Sequence, residues 1–215
     1  MNVKVKICGL NSQQAVDTTI KAGAYMAGFV FYPTSPRNIT AVEATALTSA
    51  IPPHIKRVGL FVNPTNEQVK SVLENNELDI LQLHGDETSE RVKSLKELTG
   101  LQIIKAIRIS SAADLKNATS YSENADWILF DSYAPVNEGG KLPGGNAISF
   151  DWNILKNLSF SFKWILAGGL STENVSKAIS VTGASIVDVS SGVENAPGEK
   201  SALKIKSFIK AASAG

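Results

Sequence analysis

The chain has 215 residues with a formal net charge of +1, 43% of them hydrophobic and 19% charged, apolar material enough for one sizeable core. No clustered lysines or arginines form a basic face, which argues against nucleic acid or an anionic membrane as partner, and no apolar segment approaches the ~18 residues of a membrane span. A single cysteine and two histidines exclude an internal disulfide framework and leave no multi-cysteine or three-histidine metal site.

Residues 1–10 alternate like a strand and lack the long apolar centre of a signal peptide, so a reducing, cytoplasmic setting is expected. Runs rich in β-branched and aliphatic residues predict eight strands at 3–8, 26–31, 57–62, 79–83, 102–107, 127–130, 163–167 and 185–189. Helical spacing fills the intervals at 11–22, 41–50, 66–74, 89–98 and 172–180, less strongly at 111–120, and again at 200–212. Gly23, Asn75, Gly100 and Gly183 stand where helices close. Alternating strands and helices predict a parallel sheet covered by helices. Eight repeats without a domain break favour one α/β domain over residues 1–215, a single-domain (β/α)8 TIM barrel. An open doubly wound sheet is the alternative, but Cys8-Gly9-Leu10 after the first strand is no dinucleotide-binding glycine pattern.

In such barrels chemistry sits at the carboxyl ends of the strands. The seventh strand ends in Gly168-Gly169, followed by helix-starting polar residues, and the eighth in Ser190-Ser191-Gly192. Bare amides there, with the positive end of a helix dipole, suit a phosphate. A plain strand-to-helix turn is the competing reading. Cys8 closes the first strand and shares a face with Lys6 and Lys4, so an ammonium one layer below would favour its thiolate; a lone cysteine is otherwise inert packing. Asp131 ends an apolar strand and is either a turn carboxylate or a proton donor whose pKa burial raises. A base and an acid flanking one ligand are what a sugar isomerisation needs.

Arg37 follows the stiff Pro33-Thr34-Ser35-Pro36 turn and is placed to grip a carboxylate with two prongs. Asp188 reads as a partner for an amine or hydroxyl or, equally, as a structural barrel carboxylate. His84 is a residue of the mouth, grouped with these two as substrate-binding. The glycine-rich connection at 132–148 reads as a lid.

Several stretches carry a family resemblance. They are Val5-Lys6-Ile7-Cys8-Gly9, Ser35-Pro36-Arg37, Leu81-Gln82-Leu83-His84-Gly85, Leu129-Phe130-Asp131, Leu166-Ala167-Gly168-Gly169-Leu170 and Asp188-Val189-Ser190-Ser191-Gly192-Val193-Glu194. In these the chain resembles the phosphoribosylanthranilate isomerase family of tryptophan biosynthesis. The resemblance implies an Amadori rearrangement of a phosphosugar substrate without cofactor or metal, in a monomer or homodimer. It implies Asp131 as general acid toward the ribose ring oxygen and Cys8 as general base at C2. Arg37 and Asp188 would hold the anthranilate part, and Gly168, Gly169, Ser190, Ser191 and Gly192 the phosphate. Two departures stand out. Gly144-Gly145-Asn146-Ala147 replaces the usual Gly-Gly-Thr-Gly, and Ser201 stands where an aspartate is common. Another phosphosugar barrel, or a non-catalytic relative that binds a phosphate ligand, are the alternatives.

Overall fold

The computed structural model describes residues 3–132 and 149–214. Eight parallel strands hydrogen-bond in sequence order into a closed barrel: β1 (Lys4–Cys8), β2 (Met26–Val30), β3 (Lys56–Phe61), β4 (Ile80–Leu83), β5 (Gln102–Ile109), β6 (Trp127–Ser132), β7 (Trp164–Leu166) and β8 (Ile186–Val189). Closure comes from β1 against β8, where Lys6 stands opposite Asp188 in register. Every strand thus has two neighbours and no edge is left to aggregate.

Helices α1 (Gln13–Lys21), α2 (Ala41–Ser49), α3 (Asn66–Leu73), α4 (Ser89–Thr99), α5 (Leu115–Tyr121), α6 (Val175–Thr182) and α7 (Ala202–Ser213) surround the barrel. Their starts are written locally. Thr40, Thr65 and Thr88 each accept the amide three residues on, satisfying a donor that a helix start otherwise leaves unpaired. Between β6 and β7 the described residues form a 3-10 turn, Trp152–Leu155, in place of an eighth α-helix. The predicted lid at 132–148, and with it Asn146 and Ala147, lies outside the described residues apart from Ser132.

Three expectations are corrected. The strand predicted to end at 130 runs on to Ser132, so Asp131 is a ladder residue, opposite Arg108 of β5. The helix predicted from 172 begins at Val175. The helix predicted from 200 begins at Ala202, because β9 (Glu194–Ala196) and β10 (Glu199–Lys200) form a small hairpin first. The hairpin turns at Pro197-Gly198, where Gly198 has φ 84°, a value few L residues adopt.

Alternation along the strands divides the interior in two. Ile7, Phe29, Leu81, Leu83, Ile103, Ile128, Phe130 and Val187 face outward and pack under the helices. Met26, Val58, Ile80, Ile104, Trp127, Leu129, Ile165 and Ile186 fill the barrel itself. Above that filling stands one buried ion pair, Lys6 Nζ to Asp188 Oδ1 at 2.9 Å, with Lys6 wholly inaccessible. Burial works against the Lys6 charge, but Asp188 and Cys8 outweigh it and raise its pKa.

An isolated buried charge is expensive, whereas a paired one or an apolar replacement of the pair is tolerated. Lys6→Met, which strands Asp188, is therefore expected to cost about 3–5 kcal/mol, and Lys6→Met with Asp188→Leu much less. Urea unfolding of both variants checks this; equal losses would contradict the pair's role.

Candidate functional site

At the carboxyl ends of the strands the barrel opens into a cleft lined among others by Cys8, Arg37, Gln82, His84, Asp131 and Asp188. Gly168, Gly169, Ser190 and Ser191 line the same cleft. Both chemical candidates, all three substrate-binding candidates and four of the five phosphate candidates thus line one cleft. Gly192 is not among the lining residues. It sits in the 3-10 turn Ser191–Val193, and a Cβ there would strike the Leu170 carbonyl oxygen.

Cys8 is buried at the end of β1 and packs against Val30 and Leu60. It has room because its neighbour in the ladder is Gly28, where a Cβ would lie 3.1 Å from Sγ. The expectation that Lys6 makes this an acidic thiol is corrected. Burial is the largest influence and pushes the Cys8 pKa up; Lys6 opposes it, Asp188 adds to it, and Lys200 opposes it more weakly. Asp188, paired with Lys6, offsets part of the ammonium's field at the sulfur.

Asp131 stands three strands from Cys8 round the shorter arc, through β8 and β7. Its Oδ1 accepts the Ser132 amide at 2.8 Å, and its Oδ2 lies 3.1 Å from His84 Nε2. Gly168, at φ 87°, passes so close that an added Cβ would be 2.6 Å from the Ser132 nitrogen and 3.1 Å from Asp131 Oδ1. Glycine is needed there both for its conformation and for its missing side chain. Neighbouring His84 Nδ1 lies 2.9 Å from Gln82 Nε2.

The surroundings of the phosphate candidates differ from those expected. With α6 starting at Val175, no helix terminus abuts the glycines. Asn174 instead folds back, accepting from the Ser171 amide and donating to the Gly169 carbonyl, at 2.8 and 2.9 Å. Among the described residues the loop amides of Gly168, Gly169 and Leu170 have no acceptor, and all three residues line the cleft. Convergent bare amides of this kind suit an anion. Ser190 plays a second part: its hydroxyl donates to the Cys8 carbonyl at 3.1 Å, tying the end of β8 to the end of β1.

Arg37 is buried in the cleft wall, with Nε and Nη2 on the two oxygens of Glu194 at 2.7 and 2.8 Å. That edge of the guanidinium is already engaged, so the expected two-pronged grip on a ligand carboxylate cannot use it. Lys200 completes the cluster, reaching Glu194 at 2.6 Å and the Ser190 carbonyl at 3.0 Å. Gly28, Gln82, Glu194 and Lys200 were all missed as site residues. Gln82 was open to discovery, since it shares a strand face with His84 two residues on. Glu194 and Arg37 are 157 positions apart, and no spacing rule connects them. No group of three or more histidine, cysteine, aspartate or glutamate side chains able to hold a metal occurs among the described residues.

Comparison with known proteins adds a family. Residues 5–211 match the model described as N-(5'phosphoribosyl)anthranilate (PRA) isomerase. The N-(5'-phosphoribosyl)anthranilate isomerase of Paramagnetospirillum magneticum is 48% identical over 215 residues, covering 100% of this chain and 99% of the relative. The phosphoribosyl anthranilate isomerase crystal structure from Thermotoga maritima is 38% identical, with a TM-score of 0.87 over 99% of this chain and 100% of that one. A further phosphoribosyl anthranilate isomerase crystal structure, in complex with reduced 1-(o-carboxyphenylamino)-1-deoxyribulose 5-phosphate, is 36% identical with a TM-score of 0.85, again over 99% and 100% of the two chains.

The Glu194 cluster has a pH consequence. Burial opposes the Glu194 charge, but Arg37 and Lys200 prevail and hold its pKa below the ordinary carboxylate value. A depressed folded-state pKa adds stability that is complete above the unfolded value and disappears as pH falls through the folded one. Glu194→Gln is therefore expected to lower the urea midpoint at pH 7 and to flatten its decline below about pH 4.5. An unchanged acid dependence in the variant would contradict the assignment.

Proposed function

The chain belongs to the N-(5'-phosphoribosyl)anthranilate isomerase family, and from that premise we propose that Cys8 and Asp131 carry its two proton transfers. The enzyme is an aldose–ketose isomerase of tryptophan biosynthesis. It converts N-(5'-phosphoribosyl)anthranilate to 1-(2-carboxyphenylamino)-1-deoxyribulose 5-phosphate. One observation supports the residue roles above all: a thiol and a carboxyl, on different arcs of the barrel, face one cleft that also holds unpaired loop amides.

Asp131 gives a proton to the ribose ring oxygen as the C1–O bond breaks, and that bond's electrons stay on oxygen. The anilino nitrogen supplies its lone pair to C1, giving a protonated Schiff base. Cys8, as thiolate, removes the proton from C2. The C–H electrons become the C1–C2 double bond of an enolamine, which tautomerises to the ketone by losing the hydroxyl proton and gaining one at C1. The phosphate rests on the amides of Gly168, Gly169 and Leu170 beside the Ser190 and Ser191 hydroxyls. The anthranilate carboxylate lies toward Arg37, with Asp188 and His84 completing the wall.

A Cys8→Ala variant and an Asp131→Asn variant are each expected to lose about 10²–10⁴-fold in turnover, the usual contribution of a positioned acid or base. The loss of anthranilate-type fluorescence from phosphoribosylanthranilate measures this. A product analogue should still bind both variants. Undiminished turnover in either one refutes its role.

The raised Cys8 pKa makes a second prediction. A base must be deprotonated to act, so kcat/KM is expected to rise with pH beyond the ordinary thiol range of about 8.5. The rate of Cys8 alkylation should rise over the same interval. A profile already flat by neutral pH would show that the thiolate is favoured after all.

A further inference from the structure

Beneath the candidate acid lies a polar chain without a stated task. Gln82 is wholly inaccessible, yet its Oε1 has no hydrogen-bond partner among the described residues. Its Nε2 is 2.9 Å from His84 Nδ1, and His84 Nε2 is 3.1 Å from Asp131 Oδ2. An unpaired buried carbonyl oxygen is costly, and here it belongs to an amide at the foot of the cleft.

We propose that Gln82 is a positioning residue whose amide turns over as the His84–Asp131 pair takes up and releases the proton that Asp131 delivers. The inference rests on Asp131 being the general acid. In one setting the amide N–H donates to Nδ1, which is then bare. In that setting the ring's one proton is on Nε2, facing Asp131 Oδ2. The pair then holds one proton and has none to give.

Turning the amide end for end puts Oε1 where Nε2 was, at almost no steric cost. The oxygen now accepts a proton on Nδ1, and the second proton of the loaded pair lies between Nε2 and Oδ2. From there Asp131 passes it to the ribose ring oxygen, which takes the electrons of the breaking C1–O bond. Solvent reloads the pair after product leaves. Either setting leaves one end of the amide unbonded, so nothing on its far side holds it in place. A glutamine can serve both settings because it carries a donor and an acceptor of one shape. A glutamate or a methionine cannot.

The other charges near this chain are committed elsewhere. On β5, Lys105 is bonded to Glu87 and Arg108 to Asp86. Across the cleft stand Cys8, the Lys6–Asp188 pair and the Arg37–Glu194–Lys200 cluster. A change at Gln82 leaves all of these groups in place.

The experiment uses Gln82→Met, which offers no amide acceptor to Nδ1, and Gln82→Glu, which offers a permanent one. Two readouts are followed: the alkaline limb of the kcat profile, and the ring nitrogen signals of His84, whose only companion histidine is the exposed His54. One buried hydrogen bond corresponds to roughly one pH unit. Gln82→Glu, a permanent acceptor toward Nδ1, is expected to move the limb and the His84 ring signals up together by about that amount, whereas Gln82→Met loses the amide's bond in both settings and is expected to lower kcat with the limb closer to that of the parent chain. Both readouts unmoved in both variants, while Asp131→Asn is inactive, overturn this inference alone. Full turnover in Asp131→Asn refutes the acid assignment itself, and this inference with it.

Discussion

The buried Lys6–Asp188 pair is the constraint on which the site depends. It joins the first strand to the last, at the seam where the barrel closes, and it lies one layer below Cys8. A charge at that depth is kept only because its partner is there. That partnership sets the thiol's character: a lone ammonium beneath Cys8 would make an acidic thiolate, whereas a neutralised one leaves burial in command. On the proposed assignment the base is stored as a thiol and gains strength from the basicity that burial confers.

Around this seam the wall is assembled from residues that hold one another. Ser190 reaches the Cys8 carbonyl, Lys200 reaches Ser190 and Glu194, and Glu194 fixes Arg37. The hairpin β9–β10 supplies both Glu194 and Lys200, so a short excursion between β8 and α7 orients an arginine from the second strand's loop. On the far arc Asp131 is clasped by the amide of the next residue, Ser132, and by His84, with Gly168 closing over it. The two candidate proton carriers are therefore held by separate networks, which allows one to be basic while the other serves as an acid.

The barrel was open to reading because its signals are local. Strand runs alternate or are uniformly apolar, and threonines stand at the helix starts. Cys8 and Asp131 could be placed because both end such runs. The helix predicted from 200 started too early, because the Pro197-Gly198 turn that precedes it closes a hairpin reaching Lys200. The run ending in Asp131 was cut short because Asp and Ser carry low strand propensity, although register with β5 keeps both in the ladder. The sign of the Cys8 shift was missed because burial, its largest cause, cannot be read from spacing, and because Asp188, which opposes the ammonium, lies 182 positions from Lys6. What spacing along one strand encodes, as for Gln82 and His84, was available; what closure of the barrel brings together was not.

A crystal structure of this chain with the reduced product bound bears most directly on the account. Cys8 Sγ should lie against C2 on one face of the sugar and the Asp131 carboxyl near the former ring oxygen on the other, with the phosphate on the amides of Gly168, Gly169 and Leu170. A ligand that places both side chains on one face, or its phosphate away from those amides, would contradict it.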